Sequence, residues 1–104
     1  MVLIYLITKD SAEARDIGRD LLENRLANSV NVLPKIQTMR WQKGQVENVT
    51  ETILLIKTKA LLYSKIEKRV SSLMQTKKPN IFSIPITQIN HGYLDILGSG
   101  VEEV

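Results

Sequence analysis

The spacing of apolar residues along the chain changes between a pattern typical of β-strands and one typical of α-helices. Each change predicts the start of a new secondary-structure element. Residues 2–7 form a continuous apolar run with β-branched and aromatic members, which is typical of a strand buried on both faces within a sheet. Asp10 then predicts a helix N-cap, with Glu13 three residues later in a variant of the capping box. The following charged and apolar residues alternate at helical spacing and predict an amphipathic helix of about four turns. Its apolar positions are Ala14, Ile17, Gly18, Leu21, Leu22 and Leu26.

The middle of the chain predicts a long hairpin. Residues 30–41 favour a second strand that is interrupted by Pro34. Because proline has no backbone N–H to donate, this indicates an edge strand or a bulge. Lys43 and Gly44 predict a turn. The chain then returns over residues 45–58 and ends in an apolar run that we expect deep in the core.

The last third of the chain predicts a helix and two short strands. Residues 59–74 carry one apolar stripe at helical spacing, formed by Leu62, Ile66, Val70 and Leu73. We expect Pro79 to end this element and residues 81–86 to form the next strand. Pro85 again indicates an edge position. Residues 93–97 are interpreted as a short C-terminal strand.

The order of these elements predicts a fold class. A β-α-β-β-α-β order with right-handed crossovers is the ferredoxin-like α+β arrangement, an antiparallel sheet covered by two helices. We interpret residues 1–104 as one such domain. Exposed sheet edges invite pairing with another chain. The hairpin of residues 30–58 is too long for a domain of this size, so its far end is expected to reach a neighbouring subunit.

Composition and charge narrow the classes of function. The chain has 104 residues, 43% of them hydrophobic, a net charge of +3 and no cysteine. Its basic residues are interleaved with acidic ones, whereas nucleic-acid binding normally needs a concentrated basic stripe, so no nucleic-acid partner is expected. The first residues lack the pattern of a signal peptide. No apolar stretch approaches the roughly 20 residues of a membrane helix, so we expect a cytoplasmic protein without a membrane partner.

Several segments resemble the CutA family of divalent-cation-tolerance proteins, in that family's order and spacing. They are LLENRLA at residues 21–27, VNVLP at 30–34, IKT at 56–58, IPI at 84–86 and YL at 93–94. The resemblance implies a homotrimer of ferredoxin-like subunits built by pairing edge strands. It also implies a link to the tolerance of divalent metals, copper especially, and no firmly attached catalytic activity.

Metal ligands are scarce in this chain. The cysteine common in the family before VN is Ser29 here. Copper(I) prefers thiolate and thioether ligands, with imidazole second, and the available residues are Met1, Met39, Met74 and His91. We interpret Met39 and Met74 as core or interface fillers and His91 as a turn residue. The resemblance therefore leaves a divalent metal such as copper as the one candidate cofactor, and no ligands are assigned to it. A metal site formed by one residue from each subunit at the trimer axis is an alternative that the sequence leaves open.

An enzyme is not expected. One histidine and no cysteine leave few nucleophile–base pairs, and no glycine-rich phosphate loop is present. Glu47 and Glu51 are four apart on a strand and face the same side. Paired carboxylates can do acid–base work, but a solvated strand face is the simpler interpretation.

A second hypothesis is a trimeric module similar to PII-like signalling proteins, which bind a small anion or nucleotide in clefts between subunits. Its candidate residues are Arg40, Trp41, Lys57 and Tyr93. Arg40 offers the bidentate contact that carboxylates and phosphates favour, Lys57 a charge at the end of a buried strand, and Trp41 a surface for stacking. In the structural alternative Lys57 caps a strand end and Trp41 packs at a subunit contact.

Overall fold

Four strands and three α-helices make up residues 1–103, the part of the chain that the computed structural model describes. In chain order they are β1 (Val2–Thr8), α1 (Ser11–Glu23), β2 (Ser29–Gln42), β3 (Gln45–Thr58), α2 (Tyr63–Met74, preceded by a 3₁₀ turn at Ala60–Leu62), β4 (Ile81–Pro85) and α3 (His91–Gly98). The antiparallel sheet has the strand order β2-β3-β1-β4. The predicted α+β fold class is confirmed.

Strand β1 lies in the middle of the sheet, as its apolar run predicts. Only alternate residues are buried, however, and those between them are half-buried. The expectation of burial on both faces is wrong for the subunit, because α1 and α2 cover one face of the sheet and leave the other open. Pro34 and Pro85 both lie on edge strands, β2 and β4, as predicted.

The core lies between the two helices and the covered face of the sheet. Asp10 caps α1 as predicted, since its Oδ1 accepts the backbone N–H of Glu13 at 2.8 Å.

The predicted apolar stripe of the second helix is buried at its first three members but not at Leu73, which is 40% exposed. The helix ends at Met74, with Gln75 in the left-handed region at φ 55°, so Pro79 does not terminate it. Met74 packs against the core, as predicted. The buried core residues include Ile4, Leu6, Ala14, Ile17, Leu21, Leu54, Ile56, Leu62, Ile66 and Val70.

The β2–β3 hairpin is long, as predicted, and it projects beyond the rest of the sheet. Strand β1 pairs with β3 only from Thr52 to Thr58. The pairing of β2 with β3 shifts register after Leu33, beside Pro34, and then continues to the turn. Residues 36–51 therefore form a two-stranded segment, called the hairpin arm below. It contributes to a molecule that is 45 Å long and 21 Å thick.

The C-terminal segment is helical, so the predicted C-terminal strand is wrong. Asn90 acts as the N-cap of α3, and its Oδ1 accepts the backbone N–H groups of Gly92 at 2.9 Å and Tyr93 at 3.4 Å. Such a cap satisfies donors that a helix start leaves unpaired. After α3 the chain returns to the core, where Val101 is buried.

Candidate functional site

Lys57 and Tyr93 are brought together at one end of the sheet. Lys57 lies near the end of β3, and its neighbours Ile56 and Thr58 are buried beneath the helices. Because side chains alternate along a strand, Lys57 projects from the open face. Its Nζ donates a hydrogen bond to the Tyr93 Oη at 3.1 Å and lies 5.9 Å from the centre of the Tyr93 ring. The lysine charge is therefore held in place by the first turn of α3.

Ser29 belongs to the same corner, and sequence reasoning gave it no role. It pairs with Lys57 in the β2–β3 register. Its Oγ is buried and, within residues 1–103, has no hydrogen-bond partner. A buried hydroxyl without a partner costs about 1–3 kcal/mol, so it is the kind of group that a ligand, a water or a neighbouring chain satisfies. The sequence feature that could have indicated a role for Ser29 is its position immediately before the VNVLP segment, where the family that the chain resembles commonly has cysteine.

Arg40 lies on the hairpin arm and is engaged by two carboxylates. Its Nη2 lies 3.3 Å from Glu47 Oε1, and its Nη1 lies 3.7 Å from Glu51 Oε2. The two glutamates share a face of β3, as predicted. A ligand anion at Arg40 would have to compete with both carboxylates. The guanidinium and the two carboxylates therefore form an ion-pair cluster with a structural role.

Trp41 faces the opposite side of the hairpin arm from Arg40, because adjacent residues of a strand alternate in direction. It pairs across the arm with Val46, and Met39 lies on its side of the strand. All three are exposed, by 75% for Trp41, 59% for Val46 and 76% for Met39. Met39 is therefore not a core filler of the subunit. The arm carries an apolar patch that is suited to an interface.

Of the four predicted ligand residues, the structure brings together only Lys57 and Tyr93, whereas Arg40 and Trp41 lie on opposite sides of the hairpin arm. Glu47, the cross-strand partner of Arg40, is ten residues from Lys57 on β3. At the usual rise of a strand this corresponds to roughly 33 Å. Either Arg40 or Trp41 of one chain could thus share a ligand with Lys57 and Tyr93 only if these belonged to another subunit.

The candidate metal ligands do not converge either. Met39 is on the hairpin arm, Met74 packs on the core at the end of α2, and His91 is the exposed first residue of α3. His91 therefore begins a helix and does not lie in a turn. Within residues 1–103, no three histidine or acidic side chains gather closely enough to hold a metal ion. The described residues of one subunit do not fit a mononuclear metal centre.

Comparisons with known proteins agree on one family. The family model of the CutA1 divalent ion tolerance protein matches residues 2–99. The divalent-cation tolerance protein CutA of Thermus thermophilus is 41% identical over 96 residues, which cover 90% of this chain and 92% of the relative. A CutA homolog of Danio rerio is 34% identical over 90 residues, covering 86% of this chain but only 60% of the relative.

Solved structures show the same relationship. The periplasmic divalent cation tolerance protein CutA of Archaeoglobus fulgidus superposes with a TM-score of 0.86 at 31% identity, over 98% of this chain and 100% of that one. These findings favour the CutA family over a PII-like module. The family is named for tolerance of divalent ions and not for a catalytic activity. The chain belongs to the CutA1 divalent ion tolerance protein family.

Proposed function

We propose that this protein acts in divalent-cation tolerance, with copper as the cation concerned, as a homotrimer without catalytic activity. The family membership supports the link to divalent cations. The single observation that carries the assembly is the hairpin arm, whose residues 36–51 pair only with each other in the part of the chain that the structure describes. An isolated two-stranded ribbon is at best marginally stable in water, so a neighbouring subunit is expected to support it.

The open face of the sheet supports the same assembly. Tyr5 on β1 stacks on Phe82 of β4, with ring centres 4.8 Å apart and planes 19° apart. Phe82 is 50% exposed and its neighbour on the same face, Ile84, 45% exposed. A contiguous apolar surface of this kind is suited to contact with another chain. We assign it to the equivalent face of two further copies.

The assembly is tested by the mass in solution, measured by analytical ultracentrifugation. The expected value is three chains of 11.8 kDa. Ile84→Glu places a charge in the proposed interface and should dissociate the trimer. Leu61→Glu is the matched control, because Leu61 is 77% exposed and precedes α2 on the helical side. A monomer of the unchanged protein, or equal behaviour of the two variants, would contradict the assembly.

The cellular role is tested by growth under metal stress. A strain that lacks its own family member should become more sensitive to Cu²⁺, and expression of this chain should restore growth. Mg²⁺ at matched ionic strength controls for a general effect of salt. Equal growth with and without the chain across the copper series would contradict the proposed role.

We further assign the contact between hairpin arm and neighbouring subunit as the place where a small anion would bind. Arg40 would come from one chain, and Lys57 and Tyr93 from the next, whereas Trp41, on the opposite side of the arm, would pack at the subunit contact. The fixed ammonium of Lys57 supports this assignment, as does the buried hydroxyl of Ser29, which has no hydrogen-bond partner among residues 1–103. Titration calorimetry with citrate and with ATP should show binding that Lys57→Met abolishes while the trimer persists. Unchanged affinity in Lys57→Met would remove the site.

The location and domain organisation remain proposals. Residues 1–103 include no helix that is long and apolar enough to cross a membrane. The Archaeoglobus relative is named periplasmic, whereas we propose a cytoplasmic location and a single domain over residues 1–104. Fractionation of cells that express a full-length tagged chain tests the location.

A further inference from the structure

A groove of about 430 Å³ lies on the outer, helical side of the molecule, away from the open face of the sheet. One wall is a polar stripe of α2 that follows helical i, i+3, i+4 and i+7 spacing. The other wall is Asn24, the C-cap of α1, and buried Leu26 lies next to it. The stripe consists of Lys65, Lys68, Arg69 and Ser72. Three cationic side chains thus converge on a single concave surface.

The groove already accepts a carboxylate of the chain itself. Glu102 lines it, and its Oε1 accepts a hydrogen bond from Lys65 Nζ at 2.5 Å. The backbone of Glu102 is held independently of its side chain, because its N–H donates to the Arg25 carbonyl at 2.8 Å and its carbonyl accepts from Lys59 Nζ at 3.0 Å. The side chain can therefore leave the groove without releasing the tail.

The cations of the groove are not fully neutralised. Arg69 is paired with Asp20, and Lys65 with Glu102. Within residues 1–103, Lys68 makes no ion pair. Cations clustered in a concave surface raise the local concentration of anions. The excess charge therefore favours an external anionic group beside Lys68.

We propose that this groove is an oxyanion site that binds the phosphate or carboxylate group of a small ligand through Lys65 and Lys68. Glu102 acts as an internal competitor, because its carboxylate occupies the Lys65 ammonium in the free protein. Arg69 positions the wall through its pair with Asp20. The site is separate from the proposed contact between subunits, which uses the arm, the open face of the sheet and its Lys57 end.

The site is tested with the full-length protein by amide NMR titration, using inorganic phosphate and citrate at constant ionic strength, with chloride as the reference anion. Shifts should appear around Asn24, Lys68 and Ser72, and the stronger of the two anions identifies the ligand class. Lys68→Gln should weaken binding about tenfold, as expected for the loss of one charge-assisted hydrogen bond. Lys78→Gln is the matched control, because Lys78 lies outside the groove, and it should leave the affinity unchanged.

The decisive variant is Glu102→Gln. It removes the internal carboxylate and should tighten binding several-fold. General charge attraction alone would instead give weak changes of similar size and opposite sign in Glu102→Gln and Lys78→Gln, because each alters the net charge by one. Unchanged or weaker binding by Glu102→Gln would overturn the proposal. So would the absence of binding at millimolar anion, or shifts confined to Lys57 and Tyr93. The trimer mass is measured separately, so a failure of the assembly is distinguishable from a failure of this site.

Discussion

Arg69 of α2 binds the carboxylate of Asp20 on α1 through two parallel hydrogen bonds. Its Nε lies 2.8 Å from Oδ1 and its Nη2 lies 2.6 Å from Oδ2. This bidentate geometry is the strong form of the arginine–carboxylate contact. It joins the two helices outside the apolar core, and it keeps the pKa of Asp20 below its usual range, chiefly through the hydrogen bonds from Arg69.

The first prediction concerns the pH dependence of this pair. A lowered pKa of Asp20 in the folded state means that the pair stabilises the fold above the unfolded pKa, about 3.9. This stability is lost as the pH falls through the lower folded pKa. Asp20→Asn should therefore reduce the free energy of unfolding at pH 7, and its difference from the unchanged protein should shrink in acid. Urea unfolding at pH 7 and in acid measures this difference in the free energy of unfolding.

Asp16→Asn is the control for that experiment, because Asp16 is an exposed residue of the same helix and makes no ion pair within residues 1–103. Its stability should be close to that of the unchanged protein at pH 7. An equal loss for Asp20→Asn at neutral and acid pH would show that the charge of Asp20 is not the cause.

The second prediction concerns a buried hydroxyl. Thr58 at the end of β3 is fully buried, and its Oγ1 donates to the Leu26 carbonyl at 2.6 Å. Thr58→Val keeps the shape but leaves that carbonyl unpaired, so a loss of about 1–3 kcal/mol is expected. Thr50→Val, at an exposed position of the same strand, should change stability by less. Equal effects in chemical denaturation would contradict the role of this hydrogen bond.

The third prediction uses two adjacent leucines. Leu62 is 1% exposed and Leu61 is 77% exposed. Leu62→Ala leaves a cavity in the core and should cost about 2–5 kcal/mol, whereas Leu61→Ala should stay within about 0.5 kcal/mol. Thermal and urea unfolding measure the difference. Similar losses would mean that Leu61 is covered in the assembled protein, for example by a neighbouring subunit.

The fourth prediction concerns copper. With one histidine and no cysteine, Cu²⁺ binding measured by calorimetry should be weak and unselective. Imidazole binds metal only when it is unprotonated, so binding should weaken further in acid, and His91→Ala should remove most of it. A submicromolar copper site that persists in His91→Ala would contradict this expectation and would indicate ligands shared between subunits.

Local chemistry along the sequence determined most of the elements of this fold. The capping role of Asp10, the turn at Lys43 and Gly44, and the edge positions of Pro34 and Pro85 each follow from the properties of a few adjacent residues. The spacing of apolar residues predicted α1 and the paired strands, because this spacing is also a property of residues close together in the sequence. The helix α3 was also open to prediction, because Asn90 is a favourable N-cap, but the short apolar run was interpreted as a strand.

The tertiary structure alone decided which distant side chains meet. Asp20 and Arg69 are 49 positions apart, and Ser29 is set opposite Lys57 by the register of the hairpin. The four candidate ligand residues were grouped in the sequence by type, but the length of β3 separates Arg40 from Lys57 within a subunit. Local propensities do not encode such contacts, because register, strand length and the path of the tail are set by the packing of the whole chain.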